Sequence, residues 1–397
     1  MRRLLCVLAV AWPGLAGAQD ISGAIAAKGL AAVEGELAAL AAPTASERFA
    51  LGGLRFLGAI EAALQLRYRM GLSGRTMDAP VLRLPVPENP NPEPFDPHFV
   101  ETMASDLLAR MAQAGEPLAA IGDADEVALR LNLADLWFDV DGNGARGKGE
   151  GVIELAAGTV LPRRFNSADQ TVPPTIRFDT ADAAWLQAYT HMLSVAAELV
   201  LAWPPGEAIA EVNKAAAAMR EVAGDAPPVN ALAFMFEDEV DAAASLLLAL
   251  RQQPKAEHTR AARAHALETI RLNKVFWARV GAETDNDAEW IPNARQTSAL
   301  GVALTAEMAT AWQAVLADAE DLLEGRKLIP YWRLKSGAGL KLKKMLEEPI
   351  PVDLIGWAQG KDLLVYAERG TRANAWNWRE FTSLLRGDSM LYVLLLN

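Results

Sequence analysis

In residues 297–325, TSALGVALTAEMATAWQAVLADAEDLLEG, apolar side chains recur every three or four positions at Leu300, Leu304, Met308, Trp312, Leu316, Ala319 and Leu323, and Gly325 follows as a stop. A stripe of that period is buried only when the helix lies against another layer, so a chain that repeats it is driven to pack helix on helix. The same pattern begins at Asp179 or Thr180, either of which suits an N-cap. It runs through Trp185, Tyr189, Met192, Ala196, Leu199 and Trp203 and stops at Pro204-Pro205. Further helical stretches are read at 20–40, 45–71, 98–114, 206–222, 228–252, 255–280 and 374–386.

Strand signals are confined to TIRF at 175–178, KDLLVYAER at 361–369 and the terminal MLYVLLLN. The expectation is a mainly α, multi-helix, bundle-like globular protein with few short strands. Two irregular stretches interrupt it. Residues 79–98 carry seven prolines from Pro80 to Pro97, too many for a helix or an inner strand, and read as an extended loop. The other is 158–174. Neither fixes a domain boundary, and no internal repeat of fixed period is present.

Residues 1–18, MRRLLCVLAVAWPGLAGA, join a basic start at Arg2 and Arg3 to a short apolar run, a Pro13-Gly14 break and the small residues Ala16 and Ala18. This is the layout of a secretory signal peptide, with Gln19 as the first mature residue. No later stretch reaches about 18 uninterrupted apolar residues, so no transmembrane anchor is expected. Cys6, the single cysteine, falls within the leader, and the mature chain is expected without disulfides in a bacterial periplasm. A chain of about 380 residues can bury a large core as one helical domain, 19–397, or as two subdomains. Removing Arg2 and Arg3 takes two of 38 basic residues, against 50 acidic ones, and makes the net charge of −12 more negative still. That balance argues against nucleic acid and anionic membrane surfaces as partners and leaves a protein or a carbohydrate.

The most specific motif is DVDGNGARGKGE at 139–150. Calcium takes six to eight oxygens, and a twelve-residue loop supplies them from side chains at positions 1, 3 and 5, a carbonyl at 7, a water near 9 and a bidentate glutamate at 12. Those positions hold Asp139, Asp141, Asn143, Ala145, Gly147 and Glu150, and the sharp turn at position 6 is Gly144. The segment resembles the EF-hand family over these twelve residues, matching D-x-[DN]-x-[DN]-G-x5-E. The resemblance implies calcium held by Asp139, Asp141, Asn143, Ala145 and Glu150, with a helix leading in. Asp123 and Glu126 would cap that helix, and Val127, Leu131, Ala134 and Phe138 would form its inner face.

Position 8, usually an aliphatic that pairs with a second hand, is Arg146, and no second loop of this pattern exists, which points to an unpaired structural site. Arg146, Lys148 and four glycines weaken it toward the extracellular range of about 10⁻⁴ to 10⁻³ M. The run 142–147 also fits G-x-G-x-x-G, but a dinucleotide site would set Asp139 and Asp141 against a pyrophosphate. The plain alternative is a solvated Asp/Gly turn with no ion.

A second candidate, GAETDNDAEWIPN, gathers Glu283, Asp285, Asp287 and Glu289 beside Trp277 and Trp290. Paired carboxylates beside indoles are what glycoside hydrolysis uses, so the segment 277–293 carries the reading of a hydrolase acting on a cell-wall or carbohydrate substrate. A solvated acidic turn is the more ordinary reading. His265 and Glu268, one helical turn apart, resemble the H-x-x-E element of the imelysin-like periplasmic helical proteins, with Arg263 where those carry glycine; the match ends there, and an exposed helix face is the expectation. His191 reads as a core-edge histidine bonded to a neighbour, while His98 and His258 show no partner. Zinc, haem and iron–sulfur chemistry lack ligands, and no nucleophile elbow, Walker loop or H-E-x-x-H motif is present. Seven of the 11 tryptophans follow residue 270, where helical spacing assigns them mainly to the core. The sequence therefore favours a non-enzymatic binding or assembly module clipped by one calcium, names no catalytic residue, and keeps the hydrolase as the alternative.

Overall fold

A computed structural model describes residues 20–72, 84–156, 174–224, 237–301 and 304–385. The leader with Cys6 and Gln19, most of the irregular stretch 158–174 and the terminal MLYVLLLN lie outside them. The chain is mainly α. Its helices are α1 (Ile21–Lys28), α2 (Leu30–Ala38), α3 (Ala45–Arg69), α4 (Phe99–Ala119), α5 (Val152–Ala156), α6 (Thr180–Ala202), α7 (Gly206–Ala223), α8 (Glu237–Leu250), α9 (Ala256–Ala282), α10 (Ala306–Leu323), α11 (Leu342–Glu347), α12 (Leu354–Gln359) and α13 (Trp376–Leu384). The long ones lean on one another in the order α3, α4, α6, α9, α10, with α2 flanking α3 and α13 flanking α10.

Local signals place the helix ends. Thr44 caps α3 in a reciprocal box with Glu47, Asp179 caps α6 with Asp182, and Thr305 caps α10. α10 starts later than its stripe implies. Leu300 and Leu304 precede the Thr305 cap, yet both are buried in the same core. α3 has the length and hydropathy to cross a bilayer, but it packs on α4 and α2 and carries Glu61 and Arg67 among its buried side chains.

The second half of α6 departs from its predicted stripe. Trp185 is buried as expected, whereas Leu199 is exposed and the buried positions are Ser194, Ala197, Glu198 and Ala202. α6 is packed along both α9 and α4, and small or polar residues permit that close approach.

Among the described residues, two antiparallel strand pairs accompany the helices. β1 (Leu129–Asn132) pairs with β2 (Thr175–Phe178), Leu131 opposite Ile176, and β3 (Ala338–Leu340) pairs with β4 (Ala367–Arg369). The helix expected to lead into 139–150 is therefore absent: its middle is β1, and Asp123 is not a cap but an exposed partner of Arg279 at 2.6 Å. Val127 and Leu129 are buried at a spacing of two, the strand period that won. In 361–369 only the end is strand, since Asp362–Tyr366 is a 3₁₀ helix. The described part of the proline-rich stretch, 84–98, forms neither helix nor strand, and Leu84 and Val86 pin it to the core. Apart from the main core, Leu340, Leu363 and Tyr366 form a small separate one with Tyr331, Leu334 and Trp357.

Candidate metal centre

The neck of the loop 139–150 is closed by an antiparallel bridge between Trp137 and Gly151. Phe138 N–H donates to Glu150 O at 2.9 Å, and Val152 N–H to Leu136 O at 2.9 Å. Trp137 anchors this neck, its indole N–H donating to Ile25 O at 2.9 Å. A strand, a turn and the five-residue α5 thus take the place of two flanking helices.

Inside the neck, one carboxylate oxygen each of Asp139, Asp141 and Glu150 lies within 4.8 Å of the others. Oxygens on opposite sides of a cation bound at about 2.4 Å are about that far apart, so the three could hold one metal ion. Gly144, at φ +78°, turns the chain back so that its N–H donates to Asp139 Oδ2 at 2.9 Å. The other oxygen, Oδ1, is buried and accepts nothing. An orphaned anionic oxygen is costly unless a cation or proton meets it.

Glu150, only 4% exposed, accepts from Val140 N–H at 2.9 Å and Gly147 N–H at 2.5 Å. Asn143 carries its amide onto Asp141 at 2.8 Å and accepts from Ala145 N–H at 2.7 Å, so its side chain braces the loop. Ala145 has only its carbonyl to offer. Arg146, at the position of a pairing aliphatic, donates instead to Ala134 O at 2.9 Å, tying the loop to the turn before it.

The sequence reading missed Glu61. This residue of α3 accepts from Asp139 N–H at 2.8 Å, and burial, with Asp139 and Glu150 adding their charge, pushes its carboxyl up to about 7. Its signal was a lone acid between Glu47 and Asp78, in the apolar run 56–64. Gln65, one turn on, holds Asp139 O at 2.7 Å.

The acidic stretch 283–289 divides. Asp285 pairs with Arg177 at 2.8 Å and Asp287 with Arg130, both in exposed settings. Glu283 and Glu289 turn inward and meet Asp179, again with oxygens within 4.8 Å of one another. Asp182 lies behind them, its carboxyl raised well above the usual range by burial and by Asp179. Burial, then Asp179, pushes Glu283 up to about 8, and burial also raises Asp179 and Glu289. Glu283 and Asp179 share a hydrogen bond. Glu289 is 2% exposed, and Trp290 stacks edge-on against Trp185 at 5.4 Å, so the indole fills the core beside the cluster.

The histidines correct two expectations. His265 sits at the α6–α9 contact rather than on an exposed face, with its Nδ1 2.7 Å from His191 Nδ1, while Glu268 pairs with Arg271 at 2.5 Å. His258 has a partner after all, Glu198 at 2.6 Å, and His98 stands 3.6 Å from Glu101. Trp277 and Trp312 are core residues, but Trp332, Trp376 and Trp378 are exposed, contrary to their helical spacing. Comparison with known protein families, with curated proteins and with solved structures returns no match for this chain.

Proposed function

We propose that this is a secreted, periplasmic helical protein that works by binding rather than by chemistry, as a binding or assembly module whose N-terminal half is clipped by one calcium ion at 139–150. The observation that carries the reading is the buried, unpartnered Oδ1 of Asp139, in a carboxylate grouped with those of Asp141 and Glu150. Its hard-oxygen donors, all carboxylate, amide or carbonyl, suit calcium better than a softer metal. The loop joins α3 through Glu61 and Gln65 and the N-terminal helices through Trp137, so an ion there fastens three parts of the chain together. Titration calorimetry with calcium tests it. Saturable binding that Asp139→Ala abolishes is expected, and no heat in the parent up to several times about 10⁻³ M, the weak end of such sites, contradicts it.

One observation favours a second reading, a hydrolase. Glu283, its carboxyl pushed up to about 8 by burial, lies beside Asp179 and Glu289, and a protonated carboxyl grouped with further carboxyls supplies the proton donor that glycoside hydrolysis needs. Activity on cell-wall or carbohydrate substrates that Glu283→Gln removes would decide for it.

A further inference from the structure

The stretch 326–344 is a basic island in an acidic protein. Between residues 326 and 344 lie Arg326, Lys327, Arg333, Lys335, Lys341, Lys343 and Lys344, with no acidic residue among them. Carboxylates answer Arg326, Lys327, Lys341 and Lys343. Arg333 has no such partner among the described residues: its guanidinium lies over the exposed Trp332 ring, 4.2 Å from the centroid. Lys361, 64% exposed, has only a loose ion pair with its neighbour Asp362 at 3.8 Å, longer than a hydrogen bond.

Arg333 and Lys361, both exposed, stand at a cavity of about 410 Å³, within the size range of small-molecule sites. Its wall is apolar, made by Leu334, Leu340, Leu363 and Leu364. Tyr331 closes one side and is held there by its hydroxyl, which donates toward Trp357 O at 2.9 Å and Ala358 O at 2.8 Å. Gly360 is obligatory at the adjoining corner, since it sits at φ +98° and a Cβ would come 2.9 Å from Tyr331 Oη. Leu364 lines the cavity and is still 69% exposed, so apolar surface is left uncovered beside the two exposed cations.

From this juxtaposition we infer that the cavity bounded by Arg333, Lys361 and Leu364 is a binding site for a small amphipathic anion, an apolar body bearing one carboxylate or phosphate. The leucines take the body out of water, and Arg333, with its fork of donors preoriented by Trp332, takes the anionic head with Lys361. The site is independent of the loop 139–150 and stands whether or not that loop holds calcium.

The test is titration calorimetry of the full mature protein with octanoate and with octyl phosphate, using octylammonium and inorganic phosphate as counterparts. The inference predicts that at least one of the two amphipathic anions binds with Kd near or below about a millimolar, at least about tenfold tighter than octylammonium and than inorganic phosphate. Which one binds tighter distinguishes a carboxylate head from a phosphate. Arg333→Gln with Lys361→Gln should weaken that binding about tenfold or more, and Leu364→Ala should weaken it as well. All three side chains are exposed or unpaired, so the variants should melt as the parent does. Equal affinity for octylammonium, unchanged binding in the double variant, inorganic phosphate binding as tightly as octyl phosphate, or no binding of either anion would each overturn the inference.

Discussion

The Nδ1 atoms of His191 on α6 and His265 on α9 lie 2.7 Å apart, which requires one ring to donate its proton to a bare nitrogen on the other. The pair cannot keep that bond with both Nδ1 atoms protonated. Burial lowers both pKa values below the ordinary 6.5, and for His191 the second ring adds to the effect, while Glu268 and Glu198 oppose it.

A depressed histidine pKa means that the unfolded chain binds protons the folded one refuses. Stability is then complete above about 6.5 and is lost as pH falls from there toward the lowered folded values. Urea denaturation between about pH 7 and 5 should show His265→Gln with a shallower acid loss than the parent. Parallel curves would show that the pair does not contribute.

Glu283 works in the opposite direction. Its pKa is raised to about 8, so the folded protein holds a proton that the unfolded chain gives up near 4.5. The stabilisation is fully present below about 4.5 and disappears as pH rises through about 8. Glu283→Gln keeps a hydrogen-bond donor toward Asp179 without the charge. Its stability should exceed the parent's at about pH 8 and converge on it in acid. A variant that is uniformly less stable at every pH would contradict this.

Glu61 gives a structural prediction. Glu61→Leu leaves the Asp139 N–H without its acceptor and should cost about 1–3 kcal/mol, whereas Glu61→Gln retains an acceptor and should cost much less. Denaturant midpoints at neutral pH measure the difference. Equal losses in the two variants would mean that side-chain volume, rather than the hydrogen bond, matters there.

The long helices were legible because stripes and caps agree locally: Thr44 with Glu47, and Asp179 with Asp182, mark boundaries wherever the chain is placed. β1 was not, since Val127, Leu131, Ala134 and Phe138 fit a helical stripe, and only pairing with β2, some forty residues later, makes a strand of it. The exposed Trp332 escaped for a similar reason, because spacing says nothing of whether a neighbour arrives to cover it.

The convergence of Asp139, Asp141 and Glu150 was legible because all three belong to one short loop. The contribution of Glu61 was not, because it reaches the loop across 78 positions of sequence. Nor could sequence divide 283–289. The inward turn of Glu283 and Glu289, and the pairing of Asp285 with Arg177, depend on β2 and the α6 cap lying alongside.

The central claim is that an ion at 139–150 fastens the fold, and thermal unfolding in calcium against chelator tests it most directly. An ion bound only by the folded state stabilises it by RT ln(1 + [Ca²⁺]/Kd), about 2.7 kcal/mol at one hundred times Kd. The parent should melt higher in millimolar calcium than in chelator, and Glu150→Gln, losing half of its carboxylate at the end of the loop, should melt at the same temperature in both. A parent whose melting temperature is the same with calcium and with chelator would contradict the account and leave the loop as a turn.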